Sequence, residues 1–263
     1  MARILAITNQ KGGVGKTTTS INLAASLTLA GRRVLLIDLD PQGNATMGSG
    51  IDKRKLSLSI YHVLLGEQTL VAACMKASAN YDVVPANREL AGAEIELIEL
   101  PEREHRLKAA IQPFKDQYDF VFIDCPPSLN LLTVNGLCAA DAVMIPMQCE
   151  YYALEGLSDL VQTIKKVRVN LNPALEIEGL LRTMYDPRNT LAHQVSEQLQ
   201  QHFGDKVYRT VIPRNIRLAE APSYGMPVVS LDRQSKGALA YLALAGEMLS
   251  KGVASAASVT WQK

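Results

Sequence analysis

Residues 9–19, Asn-Gln-Lys-Gly-Gly-Val-Gly-Lys-Thr-Thr-Thr, constrain the fold more than any other stretch of the chain. An apolar run, Ile4–Ile7, precedes them, and an alternating helical pattern, Ile21–Ala30, follows. The order therefore reads strand, glycine loop, helix. A loop so placed turns successive backbone N–H groups inward around an anion, and the helix start adds unpaired donors and a positive dipole end. Gly12, Gly13 and Gly15 lack the Cβ atoms that would block close approach to phosphate oxygens. Lys16 supplies a point charge for terminal phosphates, and the Thr17 hydroxyl can sit on Mg²⁺. The stretch departs from the common phosphate loop, G-x-x-x-x-G-K-[ST]. Gln10 stands where the first glycine belongs, and a second lysine, Lys11, sits next to it.

Two further stretches place carboxylates at strand ends. Arg33–Leu39 holds a continuous apolar run, Val34 to Ile37, followed by an acid, Asp38, which suits a parallel strand buried on both faces. It leads into Asp38-Leu39-Asp40-Pro41-Gln42-Gly43-Asn44, so Asp38 and Asp40 leave the carboxyl end of a strand, where open α/β sheets place ligands. Asp40-Pro41 also reads as the opening of a turn. Phe120–Asp124 is a third buried strand ending in an acid, stopped abruptly by Pro126 and Pro127. Downstream of a phosphate loop, such an acid reads as the Walker B carboxylate that holds Mg²⁺.

Short strands are predicted at Tyr81–Pro85, Ala142–Met147, Ile177–Met184 and Tyr208–Pro213, and helices between them. The helical patterns are Ile60–Leu65, Asn87–Leu100, Glu102–Lys115, Leu129–Ala139, Leu154–Leu171, Ala192–Phe203 and Ser235–Lys251. Met47–Gly50 reads as a turn. This alternation predicts an α/β fold: a doubly wound, mainly parallel sheet with helices on both faces. With 263 residues and no long linker, residues 1–251 read as one domain, and the Ala/Ser-rich tail 252–263 as disordered.

Composition removes several function classes. No run of 18 apolar residues spans a membrane, and the N-terminus enters a strand directly rather than a secretory signal, which implies a cytoplasmic chain. Cys74, Cys125, Cys138 and Cys149 are scattered, with no C-x-x-C pair, and read as reduced buried residues. Cys125 and Cys149 lack glycine-rich surroundings, so no iron–sulfur cluster is expected. A net charge of +1 gives no bulk sign of a nucleic-acid partner; that reading rests on a local patch.

The pattern Lys11-Gly12-Gly13-Val14-Gly15-Lys16-Thr17 resembles the deviant Walker A motif of the ParA/MinD ATPases. The segments Asp38–Thr46, Asp124–Ser128, Gln148–Leu157 and Tyr208–Asn215 extend the likeness, in order and spacing, to the chromosomal ParA (Soj-type) partition ATPases over about residues 3–250. Like their small chromosomal members, the chain shows no helix-turn-helix region before the first strand, so specific operator recognition is not expected.

The resemblance implies a P-loop ATPase that binds ATP and Mg²⁺. Lys11, Gly12, Gly13, Val14, Gly15, Lys16, Thr17 and Thr18 would surround the phosphates, and Met184, Pro213, Arg214 and Asn215 would lie against the adenine. Thr17 would ligate Mg²⁺, with Asp124 behind it and Asp38 near it. Lys16 would bind the β and γ phosphates, Asp40 would orient the attacking water, and Lys11 would reach the nucleotide of a second subunit. ATP would thus hold a homodimer together until hydrolysis, slow on its own and stimulated by a ParB-like partner bound to centromere-like DNA.

A dimer doubles any basic patch. Arg182, Arg188, Arg209, Arg214, Arg217, Arg233 and Lys236 crowd the last third of the chain. They read either as a solvated face supporting the adenine loop or, as the family resemblance implies, as a non-specific double-stranded DNA surface. Arg188, Arg217, Arg233 and Lys236 are the expected DNA contacts, which would make the protein nucleoid-associated. A MinD-like membrane-cycling ATPase is the alternative, but its terminal basic amphipathic helix has no counterpart in Ala-Ser-Ala-Ala-Ser-Val-Thr-Trp-Gln-Lys.

Overall fold

The computed structural model describes residues 2–259, with side chains through residue 251. β1 (Arg3–Ile7) leads through the glycine loop into α1 (Lys16–Leu29), and β2 (Val34–Asp38) leads into α2 (Asn44–Gly48). Two short helices, α3 (Ile60–Leu65) and α4 (Leu70–Ala73), precede β3 (Met75–Lys76) and β4 (Asp82–Val84). Next come α5 (Leu90–Glu96), α6 (Arg106–Ile111), β5 (Phe120–Asp124), α7 (Leu131–Ala139), β6 (Ala142–Gln148) and α8 (Ala153–Asn170). The chain closes with β7 (Glu176–Thr183), α9 (Thr190–Phe203), α10 (Ile216–Glu220), α11 (Val228–Leu231) and α12 (Lys236–Val259).

The strands form one sheet in the order β3-β4-β2-β5-β1-β6-β7, parallel everywhere except for the antiparallel edge strand β3. The expected doubly wound α/β architecture is therefore present. Two apolar cores cover the two faces. One joins α1, α12 and the alternate residues Leu5, Ile7, Leu36 and Phe122; the other joins α3 and α5–α9 to Ile4, Ala6, Leu35 and Ile123. Period-two alternation with both faces buried explains why these strands read as unbroken apolar runs.

Register fixes the site. Ile7 pairs with Asp124 across β1–β5, and Asp38 pairs with Asp124 across β2–β5, so both acids end at the level where β1 releases the glycine loop. Helix α1 is buried on nearly every side, and some of its polar side chains bond back to the helix itself. Asn22, Ser26 and Thr28 each donate to the carbonyl four residues earlier.

Two expectations change. Tyr208–Pro213 is not a strand: Arg209 and Thr210 give their backbone N–H groups to the Glu247 carboxylate of α12, each at 2.9 Å, instead of to β7. Isolated bridges, Leu180–Val207 and Tyr185–Pro213, and the Arg182 guanidinium tie that segment to β7 and its exit. The expected turn at Met47–Gly50 overlaps the end of α2. Pro146, within β6, costs no ladder bond with β1, whose pairing with β6 stops at Met144; the Pro146 carbonyl accepts from Asn9 Nδ2 instead. Of the tail expected to be disordered, residues 252–259 continue α12, and residues 260–263 lie outside the described residues.

Candidate functional site: the carboxyl edge of the sheet

The glycine loop folds as its composition requires. Gly13 (φ 75°) and Gly15 (φ 88°) occupy the left-handed region, which disfavours residues with a Cβ, and Gly15 caps α1. A Cβ placed on Gly12 or Gly13 would meet nothing within 4 Å, so both project into open space. That space is a cleft of about 560 Å³ lined by Gly12, Gly13, Gly15, Lys16, Thr17 and Thr18, with Asp40 and Met184 opposite. Lys16 is buried, and its Nζ donates to the Lys11 carbonyl across the loop at 3.1 Å. Burial lowers its pKa, and the charges of Asp124 and Asp40 oppose that effect.

Asp124 and Asp38 lie fully buried beneath the cleft rather than in its wall. Thr17 Oγ1 donates to Asp124 Oδ2 and Ser20 Oγ to Asp124 Oδ1, both at 2.8 Å. Thr46 donates twice to Asp38 Oδ2, from its backbone N at 2.8 Å and its hydroxyl at 2.7 Å, and Asp40 N donates to Asp38 Oδ1. Burial, above all, raises the pKa of both carboxyls, and the Asp38 charge beside it raises Asp124 further. A cation placed over Thr17 would relieve this clash. Hard oxygen donors backed by a buried carboxylate suit Mg²⁺, which keeps most of its waters and needs few protein ligands. The Thr17 hydroxyl, its proton directed to Asp124, is the protein group positioned to hold one. Asp38 is engaged by Thr46 and the Asp40 backbone N–H and lies beside Asp124.

Asp40 both opens a turn and faces the cleft. Its Oδ1 accepts from Gln42 N at 2.8 Å, which leaves the second oxygen available to a water. A second cleft of about 260 Å³ continues from the first through Gly15, Thr18 and Met184, and is walled by Pro213, Arg214 and Asn215. The mainly apolar lining suits a purine. Met184 stands at φ 49°, an uncommon backbone state for a residue with a Cβ, at the point where the two clefts meet. Val14 is buried and lines neither cleft; its carbonyl accepts from Thr183 Oγ1 at 2.7 Å and anchors the loop to β7.

Lys11 also lines neither cleft. Its Nζ is ion-paired with Glu150 Oε2 of the loop after β6, at 2.5 Å, and its side chain is 46% exposed. Among the expected DNA contacts, Arg188 is forked onto Asp186 and Arg217 bridges Glu220 and Asp232. Arg233 and Lys236 are exposed and form no ion pair among the described residues. Arg182 leaves the basic group altogether: it donates to Ser196 Oγ and to the Tyr208 and Arg209 carbonyls, so its guanidinium is structural.

Sequence reasoning missed Ser20, Thr46 and Glu150. Ser20 follows Thr17 at helical i+3 spacing, which puts both hydroxyls on the face toward Asp124. Glu150 gives no local signal, since its partner lies 139 residues away. The four cysteines are free and, apart from the partly exposed Cys74, buried.

A family model described as an AAA domain matches residues 2–177. Bacillus subtilis "Sporulation initiation inhibitor protein Soj" is 54% identical over 253 residues, covering 96% of this chain and 100% of that protein. Caulobacter vibrioides "Chromosome partitioning protein ParA" is 53% identical over 252 residues, covering 95% and 94%. Among solved structures, a Mycobacterium smegmatis protein described as cobyrinic acid a,c-diamide synthase with bound ADP and magnesium is 42% identical, with a TM-score of 0.84 over 95% of this chain and 94% of that one.

Proposed function

The chain belongs to the Soj/ParA family of chromosome-partitioning P-loop ATPases, and on that premise we propose that it is an ATP-gated dimer that rides on DNA. ATP and Mg²⁺ occupy the larger cleft, and the adenine occupies the smaller one against Met184 and Pro213–Asn215. Bound Mg²⁺ neutralises phosphate charge. Gly12–Thr18 cradle the phosphates through backbone N–H groups, and Lys16 exchanges its bond to the Lys11 carbonyl for the β and γ oxygens. Asp124, held by Thr17 and Ser20, fixes the Thr17 hydroxyl from beneath, with Asp38 beside it. Asp40 orients the attacking water; a loose transition state needs positioning more than a strong base.

Lys11 leaves Glu150 and reaches the triphosphate of a second copy, so that each nucleotide is clamped from both subunits. The dimer brings two sets of Arg188, Arg217, Arg233 and Lys236 to one duplex, whose phosphates they bind without regard to sequence. Hydrolysis, stimulated by a ParB-like partner, dissolves the dimer and releases DNA. Residues 1–251 act as the single functional unit of this cycle.

The observation that carries this reading is the convergence of Lys16, Thr17 and Asp40 on one cleft, above two buried acids in register. DNA retention measured with ATP, with ADP and without nucleotide, at two salt concentrations, tests it. Retention is expected only with ATP and is expected to fall steeply with salt. Equal retention in all three nucleotide states would refute the gated dimer.

A further inference from the structure

The wall of the smaller cleft is carried by a segment that does not follow the sheet edge beside it. Tyr208 N and Ile212 N donate to the Leu180 and Arg182 carbonyls of β7, at 3.0 and 2.9 Å. Four residues of the segment therefore span what two span on β7. A parallel ladder advances residue for residue, so two residues are in surplus and the backbone between these bonds leaves the sheet.

Glu247 of α12 takes up that surplus. Its Oε1 accepts from Arg209 N and its Oε2 from Thr210 N, both at 2.9 Å, and Oε2 also accepts from the Thr210 hydroxyl at 2.8 Å. From the β7 side, the Arg182 guanidinium donates to the Tyr208 and Arg209 carbonyls. The ordinary reading of Glu247 is a helix-surface acid paired with Lys251 one turn on. Yet that pair is 3.8 Å long, and the Glu247 side chain is only 9% exposed. A carboxylate withdrawn from water and filled by three donors of one short segment is a fixing point, not a solubilising charge.

The helix that carries Glu247 is itself fixed against the phosphate loop. Tyr241, earlier on α12, lines the smaller cleft, and its hydroxyl hydrogen-bonds Thr19 Oγ1 of α1 at 3.1 Å. Near the start of α12, a Cβ on Gly237 would come within 3.0 Å of Asn215 Oδ1, so helix and cleft wall meet closely there too. One helix thus supplies part of the cleft lining through Tyr241 and sets the register of the opposite wall through Glu247. Once released, Arg209 and Thr210 could regain β7 partners only by slipping along the strand. Such a slip moves Pro213–Asn215 by up to two residues, about 7 Å.

We propose that Glu247 is a positioning residue for the nucleotide base: it holds the surplus of the 208–212 segment so that Pro213–Asn215 stand where the base packs. The inference rests on the reading of the smaller cleft as the adenine site.

The test compares two ligands by isothermal titration calorimetry with Mg²⁺, at protein concentrations below dimerisation. One is a non-hydrolysable ATP analogue; the other is inorganic tripolyphosphate, which engages the glycine loop without a base. If the released segment keeps its bound position about a tenth of the time, Glu247→Ala binds the analogue about tenfold more weakly. Tripolyphosphate affinity is expected to match wild type, since Glu247 bonds to no residue of Gly12–Thr18. Glu247→Gln keeps the shape and one acceptor oxygen, so it should show a smaller loss of the same kind, and it carries the test if the alanine variant does not fold. Wild-type analogue affinity in the variants overturns the inference. Equal losses for both ligands overturn it as well, because Glu247 would then hold the fold and not the base. Wild type that binds the analogue no more tightly than tripolyphosphate would remove the adenine from the smaller cleft, and the inference with it.

Discussion

Replacing Glu150 by glutamine is expected to tighten the nucleotide-bound dimer. In the single chain Lys11 is paired with Glu150 at 2.5 Å, with the two side chains 46% and 51% exposed. A pair that open to water is worth only about 0.2–1 kcal/mol, because solvent screens the attraction and two long side chains lose freedom. Each subunit must break one such pair to lend its lysine, so the dimer bears a cost of about 0.4–2 kcal/mol. Glu150→Gln removes the charge while keeping the shape, and the dissociation constant should fall by about two- to thirtyfold. The gain should shrink as ionic strength rises, because the pair removed is a screened surface pair. Sedimentation velocity with Mg²⁺ and a non-hydrolysable ATP analogue, at low and high salt, reads both effects. A weaker dimer would refute the reasoning, since it would mean that Glu150 contacts the second copy directly. An unchanged constant at low salt would mean that Lys11 does not exchange partners.

Other substitutions separate the remaining roles. Asp40→Ala should bind ATP and persist as a dimer, with hydrolysis slowed by about a hundredfold or more; elution as a monomer in ATP and Mg²⁺ would remove Asp40 from water positioning. Arg217→Glu should abolish DNA retention without changing ATP hydrolysis, and a retained gel shift at low salt would misplace the surface. Because Arg217 is already bridged to Glu220 and Asp232, Arg233→Glu with Lys236→Glu should lower the salt slope at least as much, by about one for each DNA phosphate left without its cation. Without Mg²⁺ and nucleotide, thermal stability should fall as pH rises from about 5 to about 8. The raised carboxyl of Asp124 binds its proton more tightly in the folded state, so the stability it adds is complete at low pH and disappears as that proton leaves. Asp124→Asn should flatten this slope, and an unchanged slope in differential scanning calorimetry would refute the assignment.

What could be read from the chain, and what could not, divides by the range of the interaction responsible. A strand buried on both faces must be apolar throughout, so β1, β2, β5 and β6 announce themselves, and an acid that ends such a run is conspicuous. The glycine loop is equally local, because its backbone states and its lysine lie within eight residues. Tyr208–Pro213 has the same composition as a strand, yet Glu247, a whole segment away, takes two of its donors. Periodicity registers which face a side chain prefers, not which distant carboxylate captures a backbone N–H. The same blindness hid the partners of the basic residues: Arg182, Arg188 and Arg217 look alike as charges, but one is locked to carbonyls and two are held by acids. It hid Glu150 as well. Lys11 marks the chain as a member of a particular ATPase group, while the carboxylate that restrains it in the single chain is set by the approach of β6 to β1. The residues that line the larger cleft were therefore legible from local pattern, and the partners that pair with the charged side chains were not, because those pairs form between distant segments and the cleft's glycine loop within a few residues.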